Sequence, residues 1–355
     1  MVWSIEGRNV NDMWPRLYDM VMAYGSYETS RNGDVHAMSE PVAWVINKPT
    51  ERVLFDWKRD ANPFFHLFEG VWMLGGDNRV TPLAYFVANM RNFSDDGITL
   101  GAAYGHRVQK HFGHNQWDVC FQELLRNPDS RRCVVNLYDP RADHLSIHDG
   151  GKDIACNTQI MLRIRNDSRR QERVLDFLIT NRSNDLVWGA MGANIVHFSM
   201  MQEWAANRLG VSVGMMTTIS NNLHIYDKII ESITLCEPKQ SPRVPSEYRR
   251  YARGLVKSYP LLAPNLSDDA DTARLWYNDL AVATTSGWRG LTASGDYNTT
   301  WFRTIFHPMM VAHQLHRNKA TEHALVMLEQ MPIDSDWRRA AKEWLTRRQS
   351  AVVMS

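Results

Sequence analysis

The sequence has few cysteines, and it lacks the marks of a secreted or membrane protein. Its 355 residues include four cysteines, Cys120, Cys133, Cys156 and Cys236, without the paired spacing of a disulfide framework or a zinc site. No apolar run approaches the roughly 18 residues of a membrane span. The N-terminal MVWSIEGRNVNDMW lacks the apolar stretch of a signal peptide. We therefore expect a soluble, reduced, cytoplasmic protein.

An excess of charge of either sign is also absent. The 40 Lys and Arg residues balance 39 Asp and Glu residues, which leaves a formal net charge of +1. Such a balance gives no reason to expect a broad surface for nucleic acid or membrane. Any arginines that bind anions would therefore do so at a single site and not as part of a broad basic surface. The length allows one large domain or two ordinary ones.

Residues 153–194 carry the most informative pattern. Cys156 precedes the apolar alternation of a strand, and a second strand, Val174 to Thr180, runs back toward Arg182. Pairing these strands would bring a thiol and a guanidinium together, and a nearby arginine favours the thiolate. The residues alone suggest a nucleophilic cysteine in an anion-binding site. An inert core cysteine is the alternative, because cysteine is among the most buried residue types.

A second chemical candidate lies inside a buried helix. Asn62-Pro63 predict its cap and first position, Gly75-Gly76 predict its end, and the apolar residues between them cover nearly its whole circumference. Glu69 lies within it. Because a lone buried charge is costly, this carboxylate must be paired, protonated or catalytic. A structural salt bridge and an acid/base role both remain open.

Other segments add single polar residues. We expect an amphipathic helix from Asp12 to Tyr24 capped by Asp12, a loop at 29–34 holding Arg31, and a tight turn at 100–105 with Tyr104 in its middle. A turn at 127–130 delivers Arg131 and Arg132 to a strand, 133–138. A polar loop from 141 to 148 follows, and its histidines favour solvent contact over a metal site.

The second half is predicted to be richer in helices. A helix is expected from Ala193 to Leu209, and His224 and Tyr226 would share one face of a strand. Residues 242–271 predict a surface loop, and helices should follow from about Trp301.

Four motifs in order resemble the thymidylate synthase superfamily, and more closely its phage branch of pyrimidine deoxynucleotide hydroxymethylases. They are NPDSRR at 127–132, the nucleophile strand at Cys156, NRSND at 181–185 and NNLHIY at 221–226. The similarity runs from about Arg31 to Tyr226. It implies an α/β (α+β) fold with a large mixed sheet packed with helices, one face of which forms a homodimer interface. We expect a catalytic core at 1–245 and a mostly helical extension at 246–355.

The resemblance also implies roles for individual residues. Cys156 would be the nucleophile that adds to carbon 6 of the pyrimidine, and Glu69, Tyr104 and Asn157 would complete the catalytic set. The implied substrate ligands are Arg31, Arg182, Ser183, Asn194, His224 and Tyr226, with Arg131 and Arg132 reaching the other subunit's site. The implied contacts for 5,10-methylenetetrahydrofolate are Asp185, Trp72, Trp188 and Gly189. No metal, nucleic-acid or membrane partner is implied.

Departures from the synthase pattern indicate the branch. Met90 and Phe93 stand where synthases carry tryptophans, Asn157 replaces the histidine after the nucleophile, and the turn 188–194 has one extra residue. These changes favour water at the exocyclic methylene intermediate over hydride transfer. We therefore predict a dUMP hydroxymethylase, located in the host cytoplasm if a phage encodes it. A dCMP hydroxymethylase, a thymidylate synthase and a catalytically silent nucleotide-binding protein are the alternatives, and Asn194 favours uracil because its amide matches N3–H and a carbonyl.

Overall fold

Two β-sheets form the centre of the molecule. The structure is a computed structural model that describes residues 1–235 and 249–353. Its strands are β1 (Trp3–Gly7), β2 (Ser26–Ser30), β3 (Gly33–Ala37), β4 (Val42–Ile46), β5 (Val134–Asn136), β6 (Asn157–Asp167), β7 (Glu172–Asn181), β8 (Asn184–Asp185), β9 (Ser212–Ser220) and β10 (Leu223–Tyr226). The larger sheet has the order β1-β4-β9-β7-β6-β5 and the smaller one β2-β3-β10-β8. Both contain parallel and antiparallel pairs, which confirms the predicted mixed α/β architecture.

Helices pack on the sheets and continue through the C-terminal part of the chain. They are α1 (Val10–Tyr24), α2 (Pro63–Leu74), α3 (Val80–Phe86), α4 (Tyr104–His106), α5 (Gln116–Arg126), α6 (Pro140–His148), α7 (Asn194–Leu209), α8 (Asp227–Leu235), α9 (Arg249–Ala252), α10 (Ala270–Thr285), α11 (His307–Arg317), α12 (Thr321–Leu328) and α13 (Asp336–Val353). Within the described ranges, none of them is both long and apolar enough to cross a bilayer.

Two helix starts illustrate the value of the cap residues. The side chain of Asn62 accepts hydrogen bonds from the amides of Phe64 and Phe65, so α2 begins and ends where the sequence predicts. For α1 the predicted cap was wrong by three residues. Asn9 caps it, not Asp12, and accepts from the amides of Asn11 and Asp12.

Three predicted loops or turns are ordered differently. Residues 29–34 belong to a hairpin in which Arg31 and Asn32 form the turn between β2 and β3. The polar loop 141–148 is helix α6, because Asp139 accepts from the amide of Arg141 as a cap and Pro140 occupies the first position. Tyr104 is the first residue of α4 rather than the middle of a turn.

The glycine-rich segment before α7 is also helical. Residues Leu186–Ala193 form a π-helix that runs directly into α7, with one non-helical residue, Gly192, at φ −114° and ψ −107°. A π-helical turn is the usual result of one residue inserted into a helix. The extra residue of this segment is therefore absorbed within the helix.

The larger sheet is covered on one face only by the described part of the chain. Along β6, Ile160, Leu162 and Ile164 are buried, while Met161 and Arg163, which point to the opposite face, are exposed. Within the described residues, β6 therefore has one buried face and one partly exposed face.

The C-terminal helices share the hydrophobic core of the first part. Phe64 of α2 has its ring 5.3 Å from that of His313 in α11 and 5.6 Å from that of Trp344 in α13. The predicted helices after Trp301 are confirmed, and α10 was not predicted. The proposed boundary at residue 245 and Cys236 lie outside the described residues, so the division into core and extension stays a prediction.

Candidate active site

The thiol of Cys156 lies beside the guanidinium of Arg182. Antiparallel pairing of β6 with β7 places Asn157 opposite Asn181, so the residues that flank this pair meet at one end of the sheet. The Nη2 atom of Arg182 is 3.6 Å from Sγ, and the same side chain donates to the carbonyls of Ala155 at 2.9 Å and Ile154 at 3.1 Å. The guanidinium thus fixes the backbone that carries the sulfur.

Burial and charge oppose each other at this sulfur. Burial raises the pKa of the Cys156 thiol, and the positive charges of Arg182 and Arg31 lower it. The carboxylate of Asp153 works against the thiolate. Burial raises the pKa of Asp153 to about 6, against hydrogen bonds from the amides of Ala102 and Gly101. The thiol of Cys156 is therefore mainly neutral at pH 7 in this structure.

Arg31 reaches the same region from the hairpin turn. Its Nη1 atom donates to the carbonyl of Gly151 at 3.2 Å, a few residues before the nucleophile. The β2–β3 hairpin and the segment before Cys156 are far apart in the chain, and this hydrogen bond connects them. Arg31 and Arg182 are both exposed, so the site has two cations that a phosphate could reach.

Tyr104 contacts both the backbone next to Cys156 and helix α7. Its hydroxyl accepts a hydrogen bond from the amide of Asn157 at 3.3 Å, and its ring stacks on Phe198 with centroids 5.8 Å apart. Burial raises the pKa of the Tyr104 hydroxyl, and the nearby Cys156 adds to that rise. The phenol therefore stays protonated at neutral pH and can serve as a donor.

A group of buried amides lies behind the nucleophile. The Nδ2 of Asn181 donates to Oδ1 of Asn157, and the Nδ2 of Asn194 donates to Oδ1 of Asn184 at 3.2 Å. A Cβ on Gly189 would lie 2.5 Å from that Oδ1, so only glycine leaves room for the second pair. These contacts orient Asn194, a residue that is partly exposed.

At the start of the π-helix, a half-buried carboxylate lies near an exposed indole. Asp185 accepts from the amide of Val187 at 2.8 Å, and burial raises its pKa to about 6. The guanidinium of Arg59 lies between the rings of Trp14 and Trp188, at 5.0 and 5.8 Å from their centroids. Trp188 is 59% exposed. This arrangement offers a flat stacking surface next to a hydrogen-bond acceptor.

Glu69 is paired with a histidine that the sequence did not single out. Its Oε2 atom is 3.0 Å from Nε2 of His197 on α7, and the two residues are 5% and 3% exposed. The two atoms are within ion-pair distance but do not form a hydrogen bond. One buried histidine in an apolar helix carries no sequence signal of its own.

The structure does not bring every predicted residue together. Arg131 and Arg132 are exposed and precede β5, whose Val134 pairs with Met161. By that register they lie roughly 20 Å along β6 from Cys156, beyond the reach of a side chain. Trp72 is fully buried. A folate contact would require part of this ring to become exposed, and the role of Trp72 stays a prediction.

His224 and Tyr226 share one face of a strand, as the sequence predicts, while their role as ribose ligands stays a prediction. The rings of His224 and Tyr226 lie on one face of β10 with centroids 5.3 Å apart, and Nδ1 of His224 is 2.8 Å from Oδ1 of Asn222. Burial lowers the pKa of His224, so its ring is neutral at pH 7. Ser183 is partly exposed between Arg182 and Asn184. Within the described residues no cluster of His, Cys, Asp and Glu has the arrangement of a metal site.

Comparison with known proteins gives consistent matches. The family described as "Thymidylate synthase" matches residues 58–250. The chain is 37% identical to the deoxyuridylate hydroxymethyltransferase of Pseudomonas phage M6, over 98% of this chain and 95% of the relative. It is 32% identical to the enzyme of that name from Bacillus phage SP01, over 63% and 59%. A solved thymidylate synthase from T4 phage matches 66% of this chain and 86% of its own, at 20% identity and a TM-score of 0.46.

Proposed function

The chain belongs to the thymidylate synthase family, and on this premise we propose that it is a dUMP 5-hydroxymethylase. It would transfer a one-carbon unit from 5,10-methylenetetrahydrofolate to carbon 5 of dUMP and add water. The observation that carries the proposal is the 3.6 Å approach of Arg182 to the partly exposed sulfur of Cys156. The near full-length similarity to a phage deoxyuridylate hydroxymethyltransferase supports the choice of reaction.

The nucleophile would act on carbon 6 of the uracil ring. Carbon 5 of uracil is a poor nucleophile, and addition of the Cys156 thiolate at carbon 6 turns it into an enolate that can attack an electrophilic carbon. Arg31, Arg182 and Ser183 would hold the phosphate, and His224 and Tyr226 the deoxyribose hydroxyl. An arriving phosphate would also contact Arg182, so nucleotide binding and thiol activation would share one residue.

The folate side of the site fits the proposed co-substrate. When bound, methylenetetrahydrofolate supplies a carbon at the oxidation level of formaldehyde. The exposed ring of Trp188 next to the half-buried carboxylate of Asp185 suits a flat pterin with N–H donors. Gly189 would contribute by leaving space beside the amides.

The proposed last step is addition of water to a methylene group on carbon 5. Met90 and Phe93 lie in a short 3₁₀ helix, Ala88–Phe93, in place of the tryptophans that would shield that group. Phe93 is 49% exposed, which is consistent with solvent access. Overall, dUMP, the methylene donor and water would give 5-hydroxymethyl-dUMP and tetrahydrofolate, with Cys156 released unchanged.

Product analysis is the test of this proposal. With dUMP and methylenetetrahydrofolate we expect 5-hydroxymethyl-dUMP and tetrahydrofolate by mass spectrometry, without the absorbance change of dihydrofolate formation. Turnover of dCMP should be at least about 10-fold lower in kcat/KM, because Asn194 would have to reverse its amide and face Asn184 oxygen to oxygen.

Each alternative has its own signature in the same assay. A methylated nucleotide with dihydrofolate would identify a thymidylate synthase, preferential turnover of dCMP would identify a dCMP hydroxymethylase, and no turnover of either would identify a silent nucleotide-binding protein. The combination of Cys156, Glu69 and Tyr104 in one region argues against the last.

We also propose a homodimer formed through the uncovered face of the larger sheet. Arg131 and Arg132 are too far from their own Cys156 to contact its substrate, and both are exposed. In a symmetric dimer each subunit offers the same patch, so the arginine pair of one subunit can complete the site of the other. The division into a core at 1–245 and an extension at 246–355, and a cytoplasmic location, belong to the same proposal.

A mixing experiment tests the shared site. The double variant Arg131→Leu, Arg132→Leu and the variant Cys156→Ala should each be inactive alone. Mixed in equal amounts with subunit exchange, they should recover about a quarter of wild-type activity, because each heterodimer retains one intact site. The control is either variant mixed with itself. Absence of recovery despite mixed dimers on a native gel would contradict the proposal.

A further inference from the structure

Helices α2 and α7 approach each other unusually closely next to Glu69. A Cβ placed on Gly70 would lie 2.3 Å from Sδ of Met200 and 3.4 Å from Cγ1 of Val196. A larger residue at position 70 would require the side chain of Met200 to move. The neighbouring residue Glu69 lies within ion-pair distance of His197.

The pair is enclosed by the protein on all sides. Glu69 is 5% and His197 3% exposed, and nothing in the described chain forms a hydrogen bond with Nδ1 of His197. A carboxylate at such a depth needs a polar partner, and the imidazole of His197 lies within reach of its Oε2 atom.

The pair is also connected to the site. His197 precedes Phe198, which stacks on Tyr104, and Tyr104 accepts from the amide of Asn157 next to the nucleophile. One turn earlier on α7 lies Asn194. The first residues of α7 therefore make two sets of contacts. Phe198 and Asn194 contact residues near the nucleophile, and His197 contacts Glu69.

We propose that His197 is a positioning residue for Glu69, because its Nε2 atom lies 3.0 Å from Oε2 and fixes the place from which the carboxylate would move protons in the reaction. This inference rests on the proposed function, in which Glu69 handles protons. It includes no bond-making step.

The experiment is a double-mutant cycle with His197→Leu, Glu69→Gln and the double variant. Activity is followed as tritium release from carbon 5 of labelled dUMP, and folding by thermal unfolding. We expect His197→Leu to lower kcat about 10²-fold while KM for dUMP stays within about threefold. In the Glu69→Gln background the same change should cost less than about twofold, because its target is gone.

Two further variants separate positioning from structure. His197→Gln retains an N–H donor near the place of Nε2 and should recover at least about tenfold of the lost kcat. His313→Leu removes another buried histidine, which stacks on Phe86 at 4.5 Å. It should lower thermal stability, and its effect on kcat should be the same with Glu69 or Gln at position 69.

The outcomes are distinguishable. Additive losses from His197→Leu and Glu69→Gln, equal activities of the Leu and Gln variants at 197, or an effect confined to KM or thermal stability would overturn the role of His197 alone. A wild-type protein that releases no tritium would overturn the proposed function and this inference with it. Tritium release with a methylated product would overturn only the hydroxymethylase assignment.

Discussion

Replacement of Cys156 by alanine is expected to lower tritium release from carbon 5 of dUMP by at least about 10⁴-fold. Without the thiolate, carbon 6 receives no nucleophile and carbon 5 never becomes an enolate. Binding should persist, because Arg31, Arg182 and the ribose residues are unchanged. The measurement is tritium release at saturating dUMP and folate, with dUMP affinity determined by calorimetry.

The matched control removes a different thiol. Cys133 is buried, and its Sγ lies 3.5 Å from the carbonyl of Cys120, away from Arg182. Cys133→Ala should therefore retain exchange within a few-fold of wild type, with some loss of stability. If Cys156→Ala still released tritium at a substantial rate while binding dUMP, the nucleophile would have to be a different group.

Arg182→Leu is expected to lower kcat/KM for dUMP by about 10³-fold. Two effects combine, because the guanidinium would contact phosphate and it also favours the thiolate of Cys156 at 3.6 Å. Each is worth about 2 kcal/mol, and together they account for that loss. Steady-state kinetics should show both a higher KM and a lower kcat.

The pH dependence of thiol alkylation isolates the second effect. Burial raises the pKa of Cys156 and Arg182 lowers it, so the rate with iodoacetamide should rise with pH in the wild type. Loss of the cation disfavours the thiolate, so the profile of Arg182→Leu should lie at higher pH, with about tenfold slower alkylation at neutral pH. Arg182→Lys retains the charge and should lie between the two. Superimposable profiles for wild type and Arg182→Leu would refute a role of Arg182 in activating the thiol.

Local pattern was enough to predict the pairing of the thiol with the arginine. The alternation after Cys156 and the return strand before Arg182 have a period of two, and antiparallel pairing follows from it. The cap at Asn62 likewise specified the start of α2. Strand alternation and helix caps are both encoded within a few residues of the strand or helix end that they determine.

Features that depend on a choice between two local options were missed. Asp139-Pro140 ends a strand, but the same dipeptide also caps and begins a helix, and α6 shows the second use. The glycine-containing segment 188–194 was predicted to be a turn, whereas Leu186–Ala193 form a π-helix that runs into α7. Asp12 was predicted to cap α1, and Asn9, of a residue type equally suited to capping, does so instead.

Contacts between distant segments had no sequence signal. The ion pair of Glu69 with His197 requires α2 and α7 to meet at Gly70, and nothing near either residue encodes that distance. The burial of Trp72 is of the same kind, since a tryptophan suits a ligand surface and a core equally well. Contacts of this kind are visible only once the three-dimensional structure is known.

Helix α2 has ten of its twelve residues buried, with α7 on one side and the C-terminal helices α11 and α13 on another. Moving Glu69 would require opening this interior, and so the carboxylate is preorganised before any nucleotide arrives. Phe93 and Trp188 are 49% and 59% exposed, so we expect any adjustment that accompanies binding to occur at such surface residues and not at Glu69.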